Sequence, residues 1–319
     1  MILLLGLTGD GPLDKVTHAL SIRGVPFVLI DQRDTLGTEI ELQIGAEVTG
    51  TLSTPDARIE LGEVTSVYQR LYDWRQLPDI AREGPDSAAW SHALALESAT
   101  HAWAELTNAF VINRASAMSS NNSKPYQASI IRQHGFKTPA TLITTDPDAV
   151  KDFWERHGSI IYKSVSSIRS IVSRLTPDHL ARLGQVSWCP TQFQQHVPGT
   201  DYRVHVVGEQ VFASRIISDA DDYRYAGRNG SNPEIAASEL PDDVRERARA
   251  LAWALELPVA GVDLRLAEDG DWYCFEVNPS PGFSYYESET GQPIANAIAD
   301  LLAGQPASYS RTARAAGCS

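Results

Sequence analysis

The sequence predicts an α/β opening of doubly wound type followed by a mixed α+β remainder, and three observations carry that expectation. Residues 2–7, 12–24 and 25–31 read as strand, helix and strand, the order that builds a parallel βαβ layer. Later in the chain, alternating runs flank Gly208-Glu209 and Asp269-Gly270, as in antiparallel hairpins. Between the two regimes stands a Ser- and Asn-rich break, RASAMSSNNSKP at 114–125, which has the composition of a boundary.

Each element has its own warrant. The opening MILLLGLTGDG has no basic flank and too short an apolar run for a signal peptide, so it reads as a buried first strand. The helix after it ends near Gly24. Gly6, Gly9 and Gly11 lie in the first loop and Asp31 closes the next strand, where a ribose-binding acid falls in a dinucleotide site. The spacing is G-x-x-G-x-G followed by Pro12 rather than G-x-G-x-x-G, so the reading is a Rossmann-like scaffold without nicotinamide. A strand follows at 63–71, then the break REGPDS, then Ser87 as the cap of a long helix over 88–110. After the boundary come a helix from Pro125 to about His134, a strand at 140–144, a helix at 147–157 and the strand SIIYKSV at 159–165. Strands at 191–197, 201–207 and 210–217, a polar loop, a helix at 241–256, the hairpin and a helix at 290–303 complete the order. Residues 306–319 are expected to be disordered, and no internal repeat is visible.

At 319 residues the chain fits two or three units and buries a sizeable interior. Its composition is 43% hydrophobic and 21% charged, and no apolar run reaches the roughly 18 residues of a membrane span. The net charge of −13 argues against partners that need a basic surface, nucleic acid and anionic membrane among them. Cys189, Cys274 and Cys318 make neither a disulfide framework nor a metal spacing, which fits a reducing cytoplasm.

The stretch GVDLRLAEDGDWYCFEVNPSPG, residues 261–282, carries the chemistry. A two-residue Asp269-Gly270 turn sets Glu268 opposite Asp271, Arg265 opposite Cys274, Asp263 opposite Glu276 and Gly261 opposite Asn278. Val262, Leu264, Leu266, Tyr273, Phe275 and Val277 then share a core face, and Asp263, Glu276 and Asn278 share the other. Like charges directly opposed destabilise a sheet. A hard cation such as Mg²⁺ would compensate; the alternative is a solvated face on which Arg265 neutralises the acids. Asn278 runs into Pro279-Ser280-Pro281-Gly282, a loop where a substrate can sit, with Ser280 and Gly282 as contacts. Upstream, Lys163 ends an apolar strand and Lys124 begins a helix, both suited to phosphate; alone, either reads equally as a surface lysine. Asp201, Arg203 and His205 share a face, and the Arg203 fork suits phosphate or carboxylate. Gln192, Gln194, Gln195 and His196 precede a hinge-like Pro198-Gly199, as an adenine-reading strand or an ordinary polar one.

In the order Lys124, Lys163, QFQQHVPGTDYR, GVDLRL, FEVNPSPG the chain resembles the ATP-grasp ligases, and most closely the RimK-type branch that includes the graspetide (microviridin-like) peptide ligases. The resemblance spans about residues 110–303. It implies a pre-ATP-grasp domain at 1–115, a small lobe at 116–190 and a large lobe with the metal site at 191–305, with ATP between the lobes. Lys124 and Lys163 would meet the phosphates and the adenine side; Gln194, Gln195 and Val197 would line the adenine hinge, and Asp201 would take the ribose. Arg203 and Lys163 would be catalytic, Arg203 facing the γ-phosphate, while Asp263, Glu276 and Asn278 would hold one or two Mg²⁺, with Mn²⁺ able to substitute. Where the family has a Gly-rich phosphate loop this chain has SVSSIRSIV, so Ser166, Ser167 and Arg169 would supply hydroxyls and a cation. Gln195 stands where the family commonly has Glu.

The implied reaction activates a carboxylate as an acyl phosphate, which an amine captures to form an amide, or a hydroxyl to form an ester. Arg215, Arg224, Arg228 and Asn229, in or before the loop SDADDYRYAGRNGSN, would contact the carboxylate and amine substrates, peptide or small metabolite. Arg70 and Trp74 are the N-terminal candidates for a peptide contact. A homodimer is compatible with this reading. The competing reading is an ATP-binding regulator of the same fold without catalysis.

Overall fold

The computed structural model describes residues 1–164, 173–218 and 233–304. The opening is β1 (Ile2–Gly6), α1 (Gly11–Ile22) and β2 (Phe27–Asp31). Every residue of β1 is buried, as expected of a strand covered on both faces of a parallel sheet. Asp10 caps α1 by accepting from the Leu13 N–H at 3.1 Å, and Pro12 sits in the first turn, where it loses no hydrogen bond. Asp31 is occupied within the chain: Thr8 donates to it through N–H and hydroxyl, and the Arg33 guanidinium beside it holds its carboxyl well below the usual range.

A small antiparallel sheet of β3 (Glu39–Ile44), β4 (Val48–Ser53) and β5 (Arg58–Glu60) comes next, then β6 (Ser66–Arg70), α2 (Pro78–Glu83), α3 (Ala88–Leu106) and β7 (Phe110–Ile112). Ser87 caps α3 as expected, its Oγ accepting from the Trp90 N–H at 3.0 Å. The parallel sheet has the order β2-β1-β6-β7. The long helix expected over 88–110 stops at Leu106, and Phe110 begins a strand instead, because β7 finds an open edge on β6.

After α4 (Ala115–Met118) and α5 (Lys124–Gln133) come β8 (Thr141–Thr144), α6 (Pro147–His157), β9 (Ile160–Ser164), β10 (Ser173–Arg174) and β11 (Thr191–Gln195), forming an antiparallel sheet ordered β10-β9-β11-β8. The last sheet, β14-β13-β12-β15-β16, combines β12 (Gly199–Val207), β13 (Gln210–Ile217), β14 (Glu234–Ser238), β15 (Val259–Ala267) and β16 (Trp272–Asn278). One face of it packs on α7 (Asp242–Ala254) and α5.

The chain ends, among described residues, with α8 (Ser284–Thr290) and α9 (Ile294–Gly304). Helix α9 returns to the first sheet: Ile294, Ile298 and Leu302 share a core with Ile2, Leu13, Val16 and Phe110. No helix among the described residues is long and apolar enough to cross a membrane.

Candidate active site

Three charged side chains stand in one row across adjacent strands. Arg203 on β12 is opposite Asp263 on β15, which is opposite Glu276 on β16, so all three project from one face. Arg203 Nη1 donates to Asp263 Oδ1 at 2.5 Å, and Lys124 Nζ lies 3.4 Å from Glu276 Oε2. Lys124 is brought there by Gln127, one helical turn on. The buried Gln127 amide donates to Val277 O at 2.8 Å and accepts from the Val277 N–H at 3.0 Å, closing the edge of β16 with a side chain. The SNNS segment makes no side-chain cap on α5, so packing rather than capping sets the position of Lys124.

Two sequence expectations change here. Arg265 does not neutralise the acids: its Nε and Nη2 fork onto Asp201 at 2.7 and 2.8 Å, and its Nη1 donates to Val197 O at 2.7 Å. Arg203 and Lys124, from distant elements, are the partners of Asp263 and Glu276. The opposed carboxylates are therefore balanced by protein cations, and their proximity does not by itself require a bound ion.

The hairpin also differs. Ala267 N–H bonds to Asp271 O, leaving a three-residue turn with Gly270 at φ +86°, a left-handed conformation that glycine accepts without strain. Leu264 then faces Cys274 and Arg265 faces Tyr273, one residue out from the expected register. An irregularity in register beside Asp263 and Leu264, with Phe275 as the extra residue, restores Asp263 opposite Glu276 and Gly261 opposite Asn278. Its consequence is an exchange of faces. Cys274 enters the core, where burial pushes its thiol up, and Phe275 turns to the site side under the Arg265 guanidinium.

Beside the row opens a cavity of about 410 Å³ lined by Lys124, Lys163, Arg132, Gln192, Gln194 and Phe275, among others, a size suited to a small-molecule ligand. Lys163 on β9 is opposite Gln192 on β11, and Thr141 on β8 is opposite Gln194. Gln194 Nε2 donates to Thr141 Oγ1 at 3.0 Å, and that hydroxyl donates onward to Pro139 O at 3.0 Å. The amide orientation is thereby fixed. Among the described residues Gln192 Oε1 and Gln194 Oε1 are buried acceptors with no hydrogen-bond partner, a costly state that a donor on a bound molecule would relieve. Gln195 uses its N–H on Ala140 O, Val197 is buried with its carbonyl on Arg265, and the Asp201 carboxylate is held by Arg265. Arg132 and Phe275 were not singled out from sequence; Phe275 was hidden by the assumption of unbroken alternation.

The loop after β16 is shaped by an Asx turn in which Asn278 Oδ1 accepts from the Ser280 N–H at 2.9 Å. Ser280 and Gly282 are exposed at its surface. Gly261 is a further residue missed from sequence: a Cβ there would fall 2.4 Å from Arg203 Nη2 and 2.8 Å from Pro281 Cβ. His205, next along the Arg203 face, is fully buried, with neither ring nitrogen hydrogen-bonded among the described residues; burial, and then the Arg203 charge, push its imidazole well below the usual range. Arg215 stands opposite Tyr202, on the other face of the sheet from Arg203 and Asp263. Ser166, Ser167, Arg169, Arg224, Arg228 and Asn229 lie outside the described residues.

Asp263, Glu276 and Asn278 offer two carboxylates and an amide, a hard oxygen set that fits Mg²⁺ once phosphate and water complete the shell. Among the described residues no group of three or more His, Cys, Asp or Glu side chains is placed to hold a metal.

Residues 121–302 match the RimK-like ATP-grasp domain, more than half of the chain, and the protein belongs to that family. It is accordingly an ATP-grasp ligase, forming carbon–nitrogen bonds with ATP cleavage. Among solved structures it is similar to the ATP-grasp ligase PsnB complexed with minimal precursor, Mg and ADP, at 28% identity and TM-score 0.78 over 95% of this chain and 96% of that one. A Chryseobacterium gregarium RiPP-associated ATP-grasp ligase, in complex with ADP and a leader and core peptide, shares the fold at TM-score 0.82 and 24% identity, covering 97% of this chain and 98% of its own. A probable alpha-L-glutamate ligase of Aliivibrio salmonicida (strain LFI1238) is 26% identical over 224 residues, 67% of this chain and 73% of that relative.

Proposed function

We propose that the protein activates a carboxylate of a peptide with ATP and joins it to an amine or hydroxyl of the peptide. The observation that carries this reading is the row of Arg203, Asp263, Glu276 and Lys124 beside a cavity with two buried amide oxygens that are unsatisfied among the described residues. An adenine amino group supplies the donor those oxygens lack, while Lys124 and Lys163 on the cavity wall attract phosphate. The fold neighbours with precursor peptides support a peptide as the carboxylate source.

In this reading Asp263, Glu276 and Asn278 hold Mg²⁺, one ion or two, with Mn²⁺ as a substitute. Bound there, the metal would supply charge neutralisation on the transferring phosphoryl group. Arg203, held by Asp263, presents its guanidinium to the γ-phosphoryl oxygens. The carboxylate oxygen attacks the γ-phosphorus, ADP leaves, and the amine displaces phosphate from the acyl phosphate. No nucleophilic side chain is needed, because positioning and electrostatics account for most of this catalysis. Arg215, Arg224, Arg228, Asn229, Ser280 and Gly282 remain the proposed substrate contacts, and Ser166, Ser167 and Arg169 the proposed phosphate cover. The division at 115, 190 and 305 and a cytoplasmic setting belong to the same reading; the thiols of Cys189 and Cys274 are free.

The relatives named as probable alpha-L-glutamate ligases favour a second reading, in which free glutamate is the amine. A mass-spectrometric screen of acidic, Lys-containing peptides with ATP, Mg²⁺ and glutamate tests both. Loss of water from the peptide supports internal ligation, gain of a glutamyl residue supports the second reading, and no product from any pool contradicts both.

A further inference from the structure

The carboxyl ends of β6 and β7 reach across to the loop that follows Asn278. At the end of β6, Arg70 is paired with Asp10, Nε to Oδ2 at 2.5 Å and Nη2 to Oδ1 at 3.4 Å. Its Nη1 forks to Ser280 Oγ and Pro281 O, both at 3.1 Å. Just past β7 the buried Asn113 donates to Val259 O at 2.7 Å and also to Pro279 O. The loop is thus held at both ends by the first domain's sheet.

This grip bears on the charged row through Gly261. The Pro281 ring and the Arg203 guanidinium both occupy the space above that glycine, the first 2.8 Å and the second 2.4 Å from where a Cβ would be. Moving Pro281 therefore changes the wall against which Arg203 is held opposite Asp263. The Arg70 side chain is only 13% exposed, so its planar fork works largely out of water, and a lysine cannot reproduce it.

We propose that Arg70, anchored by Asp10, is a positioning residue for ligation: it fixes Ser280 and Pro281 so that Arg203 stays opposite Asp263 and Asn278 keeps its place two residues beyond Glu276. The proposal rests on the reading in which Arg203 and Asn278 serve phosphoryl transfer. Arg70 itself touches neither reacting group; it acts through the loop.

The test compares Arg70→Met, Arg70→Lys, Ser280→Ala and Arg203→Met in the full chain, following ADP release from MgATP with a synthetic peptide carrying Asp, Glu and Lys, and MgADP affinity by calorimetry. A displaced catalytic group costs on the order of 10- to 100-fold, so Arg70→Met is expected to lower kcat by that range while MgADP affinity holds and the melting temperature falls by a few degrees for the lost pair with Asp10. Arg70→Lys should stay low, and Ser280→Ala, which keeps Pro281 O, should lose about threefold for one hydrogen bond. Unchanged kcat in Arg70→Met overturns the proposal. So does a parallel loss of kcat, MgADP affinity and melting temperature that Arg70→Lys restores, since that marks general support of the fold. If Arg203→Met leaves ADP release intact, the functional reading fails; if it abolishes release while Arg70→Met does not, only the positioning role fails.

Discussion

Replacing Asp263 by Asn removes one negative charge from the middle of the Arg203, Asp263, Glu276 row while keeping the shape. Breaking a fully buried pair costs about 3–5 kcal/mol. Here the Asp263 side chain is 27% exposed against 8% for Arg203, and the amide oxygen still accepts from the guanidinium. Solvent screening and the relief of repulsion with Glu276 bring the expected stability loss to about 1–2 kcal/mol. The effect on rate is larger, because charge neutralisation at a phosphoryl centre contributes several kcal/mol. A loss of about 3–4 kcal/mol corresponds to roughly a 10²- to 10³-fold lower rate at 1.36 kcal/mol per decade. ADP release at saturating ATP and Mg²⁺, alongside a thermal melt, separates the two effects. Release within about twofold of the unsubstituted chain, with the melt shifted as expected, would refute the reasoning, since an interaction made in the transition state must appear in kcat.

Three further expectations follow from the same geometry. Gly261→Ala places a methyl group against the Arg203 guanidinium and Pro281; it should cost about 1–3 kcal/mol of stability by overpacking and lower ADP release more than Gly282→Ala, where a Cβ meets open space. Thr141→Val removes the hydroxyl that fixes the Gln194 amide, so the amide can turn its N–H₂ to the cavity. The preference for ATP over ITP in kcat/KM should fall by about fivefold, the worth of one neutral hydrogen bond; an unchanged ratio removes Gln194 from base recognition. His205 is buried with its pKa lowered, so its contribution to stability is full above the unfolded value of about 6.5 and lost as pH falls below it, by at most about 1.4 kcal/mol per pH unit. Urea denaturation between pH 8 and pH 5 should show His205→Leu gaining on the unsubstituted chain as pH falls, and parallel profiles would contradict this.

What the sequence made legible was local. The apolar run of Ile2 to Leu5, the Ser87 cap, and the pairing of Asp263 with Glu276 all follow from periodicity and turn chemistry. The last was reached through two offsetting departures, a turn one residue longer than expected and an extra residue at Phe275. Cys274 and Phe275 therefore exchanged faces while the carboxylates did not. The sheet of β3, β4 and β5 is not legible although Glu39–Ile44 alternates, because only Leu52 and Ile59 of its apolar residues are buried, Ile44 is exposed, and its runs are short. The partners of the acids were illegible for another reason. Arg203 and Lys124 reach Asp263 and Glu276 from 60 and 152 residues away, and no local pattern encodes a contact made by Gln127 clasping the edge of β16.

The central claim, that a carboxylate is activated by phosphoryl transfer from ATP at this row of charges, is tested most directly with a peptide whose carboxylates carry ¹⁸O. Attack on the γ-phosphorus followed by amine capture moves a labelled oxygen into the released phosphate. The account predicts labelled phosphate in step with product formation, and its loss with product in Asp263→Asn. Product accompanied by unlabelled phosphate would contradict it.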